Sequence, residues 1–499
     1  MNPELKNKVM TASEAAMLIH DGDVIGASGF TMAGYPKSVP VELAKRARDF
    51  HKRGEPFKIS LYTGASTGDE LDGELIRADA ISKRYPYQSH KEMREAINTG
   101  KIEFSDFHLS HIAGYVRAGF LKKPNIAIVD AVDVTPEGHI YLSTSGGSSA
   151  SYLMMADKII VELNYYHGEK MKGFHDIFIP APPPVRERIP IYKVADRIGM
   201  PFVSVDPKKI VAIVETNLPD GTNPLRKPDA TSNTIAGHVV EFLHHEHNRG
   251  RLPGGLPYQF GVGNVANAVL AAMAHDPVTE PINLYTEVIQ DSVFDLIDNN
   301  KLIFASGTAL TLSKNGQERF RKEIDSLKDK ILLRQQEISN HPEIIRRLGV
   351  VAMNTALEFD IFGNVNSTHV LGSKMMNGIG GSADFTRNAY LPIFMTPSIA
   401  RDGDVSSIVP MVTHTDHSEH STKIFVTEQG LADVRGMSPV NRARHIIDKC
   451  SHPAYKDMLT EYLNFGLKNA PSLHTPHVLD RAFEMHIRFR DTGSMLIKK

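Results

Sequence analysis

A recurring unit constrains this chain more than any other feature: a short apolar run, a turn rich in glycine, then a helix-like stretch. Val24-Ile25-Gly26-Ala27-Ser28-Gly29-Phe30 reads as a strand that ends in such a turn, and Lys58 to Thr63 runs into Gly64-Ala65-Ser66-Thr67-Gly68. NIAIVDAV (125–132), KIIVEL (158–163) and KIVAIV (209–214) follow, with helix-like stretches at Thr11 to Ile19, Pro40 to Phe50 and His90 to Thr99. Strands of this kind alternating with helices predict an α/β fold with largely parallel sheets.

With 499 residues the chain is long for one domain and comfortable for two. TNLPDGTNPLRKPDAT (216–231) concentrates proline, glycine, asparagine and charge, and it reads as a linker. Beyond it the alternation restarts: a helix at Thr231 to His245, a strand at Gln259 to Val262, a helix at Asn264 to His275, and strands at Asn283 to Thr286 and Leu302 to Ala305. The expectation is two open α/β lobes, an N-terminal domain over 1–220 and a C-terminal domain over 221–499, with the active site in the cleft between them. PAPPPVRERIP (180–190) reads as a surface loop, and ERFRKEIDSLKDKILLR (318–334) as a charged surface helix with i,i+4 pairs.

Bulk properties exclude several classes. Lysine plus arginine number 56 against 58 acids, a net charge of −2, which makes no case for nucleic acid or an acidic membrane surface. The single cysteine, Cys450, permits neither an intrachain disulfide nor a cysteine-based zinc site. No run approaches the ~20 apolar residues that span a bilayer, and the first residues lack a signal-peptide core. A cytoplasmic location is the expectation.

Three segments carry candidate chemistry. Gly261-Val262-Gly263-Asn264-Val265 lies between a predicted strand and a predicted helix, where backbone amides hold phosphates or oxyanions; an ordinary strand–helix turn reads the same way. Asn377-Gly378-Ile379-Gly380-Gly381 has three glycines in four residues before Ser382 and Asp384, which makes a nest of amides or simply a tight turn. Glu287 follows a short apolar strand, where a carboxylate serves as nucleophile, base or helix-start acid. Together they are what nucleophilic catalysis by a carboxylate needs: a covalent handle, and amides for the tetrahedral intermediates.

Several long motifs occur in order: GVGNVANAV (261–269), YTEVIQDS (285–292), ISNHPEIIRRLG (338–349), EFDIFGNVNSTHV (358–370), MMNGIGGSADFTRN (375–388), HTDHSEH (414–420) and VTEQGLADVRG (426–436). In these the chain resembles the acetyl-CoA hydrolase/transferase family, within the class I CoA-transferases, over nearly its whole length. The resemblance is closest to the bacterial branch that acts on succinyl-CoA with acetate and on propionyl-CoA with succinate. It implies that Glu287 becomes a glutamyl-CoA thioester, that Gly261 to Val265 binds CoA and lends an oxyanion-hole amide, and that Asn377 and Gly381 contact CoA, with the Gly381 amide as the other donor. It places Asn340 and Glu428 close to the reacting groups. Arg401 stands where relatives often have lysine near the CoA phosphates, so charge is kept and geometry is not. The resemblance also implies a homodimer, CoA as substrate rather than bound cofactor, and short carboxylates as the other partners.

Other residues take plainer readings. His414, His417 and His420 are spaced for a metal, but this chemistry needs none, and a hydrogen-bonded loop is the expectation. His244, His245 and His247 read as a solvated helix end. Cys450 next to His452 reads as an inert thiol. Arg226 and Lys227 read as solvated linker charges, with substrate carboxylates as the alternative. Two other functions compete with transfer: hydrolysis through the same glutamyl intermediate, and dinucleotide binding at GVGNVANA, which lacks the acidic residue expected beyond it.

Overall fold

The computed structural model describes residues 3–222 and 228–497. Arg226 and Lys227 lie outside the described residues. The chain forms two compact units that alternate along the sequence. The first takes Met1–Leu225, Asn283–Phe294 and Leu302–Leu348; the second takes Arg226–Ile282, Asp295–Lys301 and Gly349–Lys499. Glu287 and Asn340 therefore belong to the first unit, although both lie beyond residue 220.

In the first unit, β1 (Val24–Ala27), β2 (Ile59–Tyr62), β3 (Ile81–Tyr85), β4 (Glu103–Phe104), β5 (Ile126–Val134), β6 (Lys158–Asn164) and β7 (Ile210–Thr216) form one sheet in the order β7-β6-β5-β1-β2-β3-β4. Every neighbouring pair in that order is parallel. The apolar run of β5 shows why: Ile126 and Ile128 join the core on one face, Ala127 and Val129 the core on the other. A strand buried on both faces reads as continuous hydrophobicity. α1 (Ala12–Met17) starts at a capping box, in which Thr11 Oγ1 accepts from Glu14 N at 3.2 Å and Glu14 Oε2 accepts from Thr11 N at 2.8 Å. α2 (Val39–Lys52) starts at the buried Glu162 carboxylate, which accepts from the amides of Lys37 (2.7 Å), Ser38 (2.9 Å) and Val39 (2.7 Å).

Beyond the linker segment, α3 (Ala230–Asn248) opens on Asp229, whose side chain accepts from Ser232 N at 2.7 Å. β8 (Pro257–Phe260) and α4 (Asn264–His275) follow in the second unit. The first unit resumes with β9 (Ile282–Tyr285), β10 (Leu302–Gly307), α5 (Lys314–Leu327), β11 (Ile331–Arg334) and the single turn α6 (Gln336–Ser339). β10 lies between β9 and β11, and β11 also runs parallel to the two-residue strand His175–Asp176. In the second unit β12 (Val351–Thr355), α7 (Ser382–Asn388), β13 (Leu391–Met395), β14 (Ile424–Thr427), β15 (Gly430–Asp433) and α8 (Glu484–Thr492) complete the elements used below. Strands β8, β12, β13 and β14 are parallel neighbours, and β15 closes that run antiparallel.

Two expectations are corrected here. The helix expected over 318–334 stops at Leu327, and Ile331–Arg334 is a strand with all four residues buried. One apolar face suits a surface helix; four consecutive buried residues need cover on both sides, which a sheet provides. Of the histidines that end α3, His245 and His247 are exposed as expected, whereas His244 is half-buried with its Nε2 at 2.8 Å from Asp276 Oδ2, and Glu246 beside it is buried against Arg251 and Arg435. The proline segment is exposed over 181–188, as expected. Among the described residues no helix is long and apolar enough to cross a membrane.

Candidate active site

β9 delivers the chain to Glu287. Thr286 N donates to Ser306 O at 2.9 Å, and the Glu287 carbonyl then accepts from Thr308 N at 2.7 Å. Val288 and Ile289 immediately pair in parallel with Ala309 and Leu310. The Glu287 backbone is thus fixed on both sides, and its half-buried side chain stands at a strand end. The crossing is tight at Gly307, where a Cβ would stand 3.0 Å from Ile289 Cγ1 and 3.2 Å from the Glu287 carbonyl.

The carboxylate is oriented from α6. Asn340, fully buried, follows α6 and donates from Nδ2 to Glu287 Oε1 at 2.8 Å. Ser339 Oγ donates to Asn340 Oδ1 at 2.8 Å, which sets the amide so that its N–H side faces Glu287. Tyr285 OH donates to the Ile338 carbonyl at 2.6 Å and ties β9 to α6. Behind α6, the buried Arg334 guanidinium pairs with Asp176 and donates from Nε to Ser306 Oγ at 2.9 Å. Gly147 donates to Thr308 Oγ1 at 3.1 Å and accepts from Gln336 N at 2.9 Å, so the turn after Ser145 is bonded to both sides of the site. Phe30, Ala33, Ala65, Leu109, Val288 and Ala309 form an apolar cluster that Tyr87 packs against. Burial first, and the Glu287 charge second, push the Tyr87 phenol up to about 12, so it stays protonated and neutral at physiological pH.

The second-unit candidates have their own geometry. Gly261 N donates to Met353 O at 2.9 Å, which commits that amide to the strand ladder. Gly263 has φ 136°, with nothing within 4 Å of an added Cβ, and it begins α4. Val262 is 53% exposed between them, Asn264 is half-buried and Val265 is buried. Asn377 Nδ2 donates to Ser367 O at 3.0 Å and to Gly378 O at 2.8 Å; Gly380 has φ 60°, and Gly381 begins α7. Glu428, just after β14, accepts from Ser398 N at 2.8 Å, from Ser398 Oγ, and from Gln429 Nε2 at 3.0 Å. Burial pushes its pKa up, but those bonds outweigh it and hold the carboxyl below the usual range. Arg401 lies on the segment that leads from Ser398, with φ 52° and its guanidinium 5.1 Å from the Phe489 ring. The three motif histidines point to different partners: His417 is buried against Phe394, His414 lies 3.3 Å from Asp416 and 4.1 Å from the His369 ring, and His420 is exposed. Cys450 is buried, its thiol pushed up to about 12 by burial.

Comparison with known proteins decides the family. The N-terminal domain of the acetyl-CoA hydrolase/transferase family matches residues 2–215, and its C-terminal domain matches residues 316–463. The chain belongs to the acetyl-CoA hydrolase/transferase family. It is 48% identical to the propanoyl-CoA:succinate CoA transferase of Escherichia coli over 98% of both chains. It is 49% identical to the succinyl-CoA:acetate CoA-transferase of Clostridium kluyveri, over 99% of this chain and 91% of that one. It is also 43% identical to the acetyl-CoA hydrolase of Schizosaccharomyces pombe, over 99% of this chain and 98% of that one. Two solved structures share the fold. RipA from Yersinia pestis has a TM-score of 0.72 at 22% identity, over 92% of this chain and 98% of that one. The 4-hydroxybutyrate CoA-transferase from Porphyromonas gingivalis has a TM-score of 0.62 at 17% identity, over 93% of this chain and 98% of that one.

In this member of the family, sequence reasoning missed what supports the site. Thr31 and Met32 have φ 51° and 68°, a strained pair next to Phe30. The loop is anchored by Gly34 N, which donates to Asp220 Oδ1 at 3.0 Å. Asp220 and Asp130 flank the buried Lys37 ammonium at 3.0 and 2.8 Å. A signal was present: Asp130 and Glu162 are acids inside otherwise apolar runs, and buried acids require partners. Ser339, inside ISNHPE, had no such flag.

Proposed function

We propose that this chain is a CoA-transferase that moves CoA between a short-chain acyl-CoA (succinyl, acetyl or propionyl) and a carboxylate acceptor such as acetate or succinate. The observation that carries the reading is Glu287, held by the Asn340 amide at 2.8 Å at a strand end beside an apolar cluster. Family membership and the two CoA-transferase relatives support it.

The Glu287 carboxylate attacks the thioester carbonyl, and collapse of the tetrahedral intermediate expels CoA thiolate and leaves a mixed anhydride. The thiolate attacks the glutamyl carbonyl, which forms the glutamyl-CoA thioester and releases the first carboxylate. The acceptor carboxylate then runs the two steps in reverse. One thioester replaces another, so the exchange is near balance without an energy donor. Gly261 to Val265 and Asn377 to Gly381 take the role of CoA binding, with the Gly381 amide as an oxyanion donor; Arg401 takes the place near the CoA phosphates and Glu428 the place close to the reacting groups. Asn340 donates to the carboxylate before attack and to the glutamyl carbonyl oxygen of the anhydride and thioester after it. This reading includes a homodimer in the cytoplasm and CoA as a substrate, with no bound cofactor.

The test is intact mass after incubation with acetyl-CoA or succinyl-CoA and borohydride reduction, on wild type and Glu287→Ala, with CoA release followed with and without acceptor. The reading expects an adduct on wild type alone and turnover that needs the acceptor. Acceptor-independent turnover through the same adduct makes the protein a hydrolase. Equal turnover in Glu287→Ala removes Glu287 from the reaction.

A further inference from the structure

The HTDHSEH segment (414–420) performs no step of the reaction above, yet it is tied into the fold at unusual density. His417 is 4% exposed, and its ring sits 5.0 Å from that of Phe394 on β13. Its backbone is stitched to Val365: Val365 N donates to His417 O at 2.8 Å, and Asp416 N and His417 N both donate to Val365 O, at 2.9 and 3.1 Å. Asp416 then takes Ser367 and Thr368, a little further along the same segment. Ser367 N donates to Asp416 Oδ2 at 2.6 Å, and Thr368 Oγ1 reaches both carboxylate oxygens at 3.0 and 2.9 Å.

Those contacts converge on the loop from Asn377 to Ser382. Ser367 O, on the residue whose amide Asp416 holds, accepts from Asn377 Nδ2 at 3.0 Å. Thr368 O accepts from Met376 N at 2.8 Å. At the other end, His417 Nε2 lies 3.2 Å from Ser382 Oγ, and that hydroxyl donates to Ile379 O at 2.9 Å. Ser382 has one proton and spends it on Ile379, so the 3.2 Å contact is filled by a proton on His417 Nε2. The relay runs from imidazole N–H to hydroxyl to the carbonyl inside the loop. A residue on each side of the loop is therefore fixed by consecutive side chains of one segment.

We propose that Asp416 and His417 are positioning residues that hold the Asn377–Ser382 loop in its CoA-binding shape, and that this, rather than metal binding or proton transfer, is the work of the HTDHSEH segment. The proposal rests on the reading above in which that loop binds CoA. Its effect belongs to affinity: a loop left unpinned must be ordered by CoA itself, so apparent CoA affinity falls by the fraction of time the competent shape is lost.

The experiment measures CoA dissociation by calorimetry, and kcat and KM with acetyl-CoA, on the full-length protein and on Ser382→Ala, His417→Leu, His417→Gln, the Ser382→Ala/His417→Leu double variant, Asp416→Asn and Asn377→Ala. Ser382→Ala and His417→Leu are each expected to weaken CoA about fivefold, the scale of one net hydrogen bond, with KM rising more than kcat falls. The double variant is expected to lose no more than either single one, since both remove the same relay. His417→Gln places an amide N–H near the imidazole Nε2 and is expected to recover most of the loss, and Asp416→Asn to weaken CoA in the same direction. Should His417→Leu fail to fold, Ser382→Ala, which removes one half-buried hydroxyl, still decides. Unchanged affinity in Ser382→Ala while Asn377→Ala binds weakly overturns the positioning role alone; additive losses in the double variant overturn the relay. Unchanged affinity in Asn377→Ala removes the CoA-loop reading, and the proposal with it.

Discussion

At the residue scale the Glu287–Asn340 pair makes the sharpest demand. Asn340 presents an N–H to the accepting Glu287 carboxylate, and Ser339 Oγ, which donates to its other face, reinforces that orientation. Asn340→Asp places a second carboxylate 2.8 Å from the first, and repulsion between the two raises the pH at which the pair takes up a proton. kcat is expected to fall roughly a hundredfold at pH 8, the scale for losing an oriented donor. The deficit should shrink toward pH 5, as the new acid takes a proton and donates again. A pH–rate profile of the variant against wild type reads this; equal activity at pH 8 removes the amide from the mechanism. The buried Lys37 triad makes a second demand. Burial lowers the Lys37 pKa, but Asp130 and Asp220 outweigh it and leave it raised, while Asp220 is held well below the carboxylate range against its own burial, chiefly by Lys37. A raised lysine contributes stability that is full below its unfolded value of about 10.5 and is lost as pH rises through the folded one; a depressed aspartate contributes stability that is lost as pH falls below about 4. Between those limits the contribution is flat. Lys37→Met should cost about 3–5 kcal/mol at pH 8, and less at pH 5, where the orphaned carboxylates accept protons. Urea unfolding at the two pH values checks the sign.

At the scale of elements, the glycine turns differ from one another in ways their composition hides. Gly263 sits at φ 136° and ψ 175°, a conformation reserved for glycine, with open space around its missing Cβ. Gly261 carries no positive φ, and its nearest neighbour to an added Cβ is 3.7 Å away. Gly263→Ala is thus expected to destabilise the second unit by about 1–3 kcal/mol through backbone strain, and Gly261→Ala by less than about 0.5 kcal/mol. Chemical denaturation of the two variants side by side separates strain from crowding; equal losses contradict it. Legibility follows the same division. α4 occupies Asn264–His275, as its apolar spacing predicts, and β5 and β6 lie within a few residues of NIAIVDAV and KIIVEL, because local periodicity reports burial directly. β11 was hidden, because ILLR follows a charged helix without a strong breaker and its cover comes from residues far away in sequence, among them His175 and Asp176. The same holds for the site. Glu287 was visible as a carboxylate after a strand, whereas the roles of Ser339, Asp220 and the Gly146-Gly147 turn depend on contacts over tens to hundreds of residues that no local pattern encodes.

At the scale of the whole molecule, the composition shift at 216–231 marks where the chain first changes units, but the two units are not the two stretches on either side of it. The first unit also takes Asn283–Phe294 and Leu302–Leu348. Those later segments fill the cluster around Phe30 and Leu109 with Val288 and Ala309. They donate Leu310 N to Thr144 O at 2.9 Å and Leu333 N to Phe174 O at 2.8 Å. They also bring Arg334, fully buried, onto the buried Asp176 carboxylate. A fragment of residues 1–222 therefore exposes apolar surface from that cluster and takes the Arg334 guanidinium away from Asp176, which keeps the amides of Ile198 and Gly199. Each large apolar side chain that loses its cover gives up about 1.5–3 kcal/mol, and a few such losses are a large part of the ~5–15 kcal/mol that holds a domain folded. Such a fragment is expected to show no cooperative urea transition and to be cut rapidly by protease, while a polypeptide carrying residues 1–348 regains both a transition and resistance in the first unit. A cooperative, protease-resistant 1–222 fragment would show that the parallel sheet β1–β7 stands without β9–β11, and that Glu287 is carried by an addition to a self-sufficient domain rather than by a strand the domain needs in order to fold.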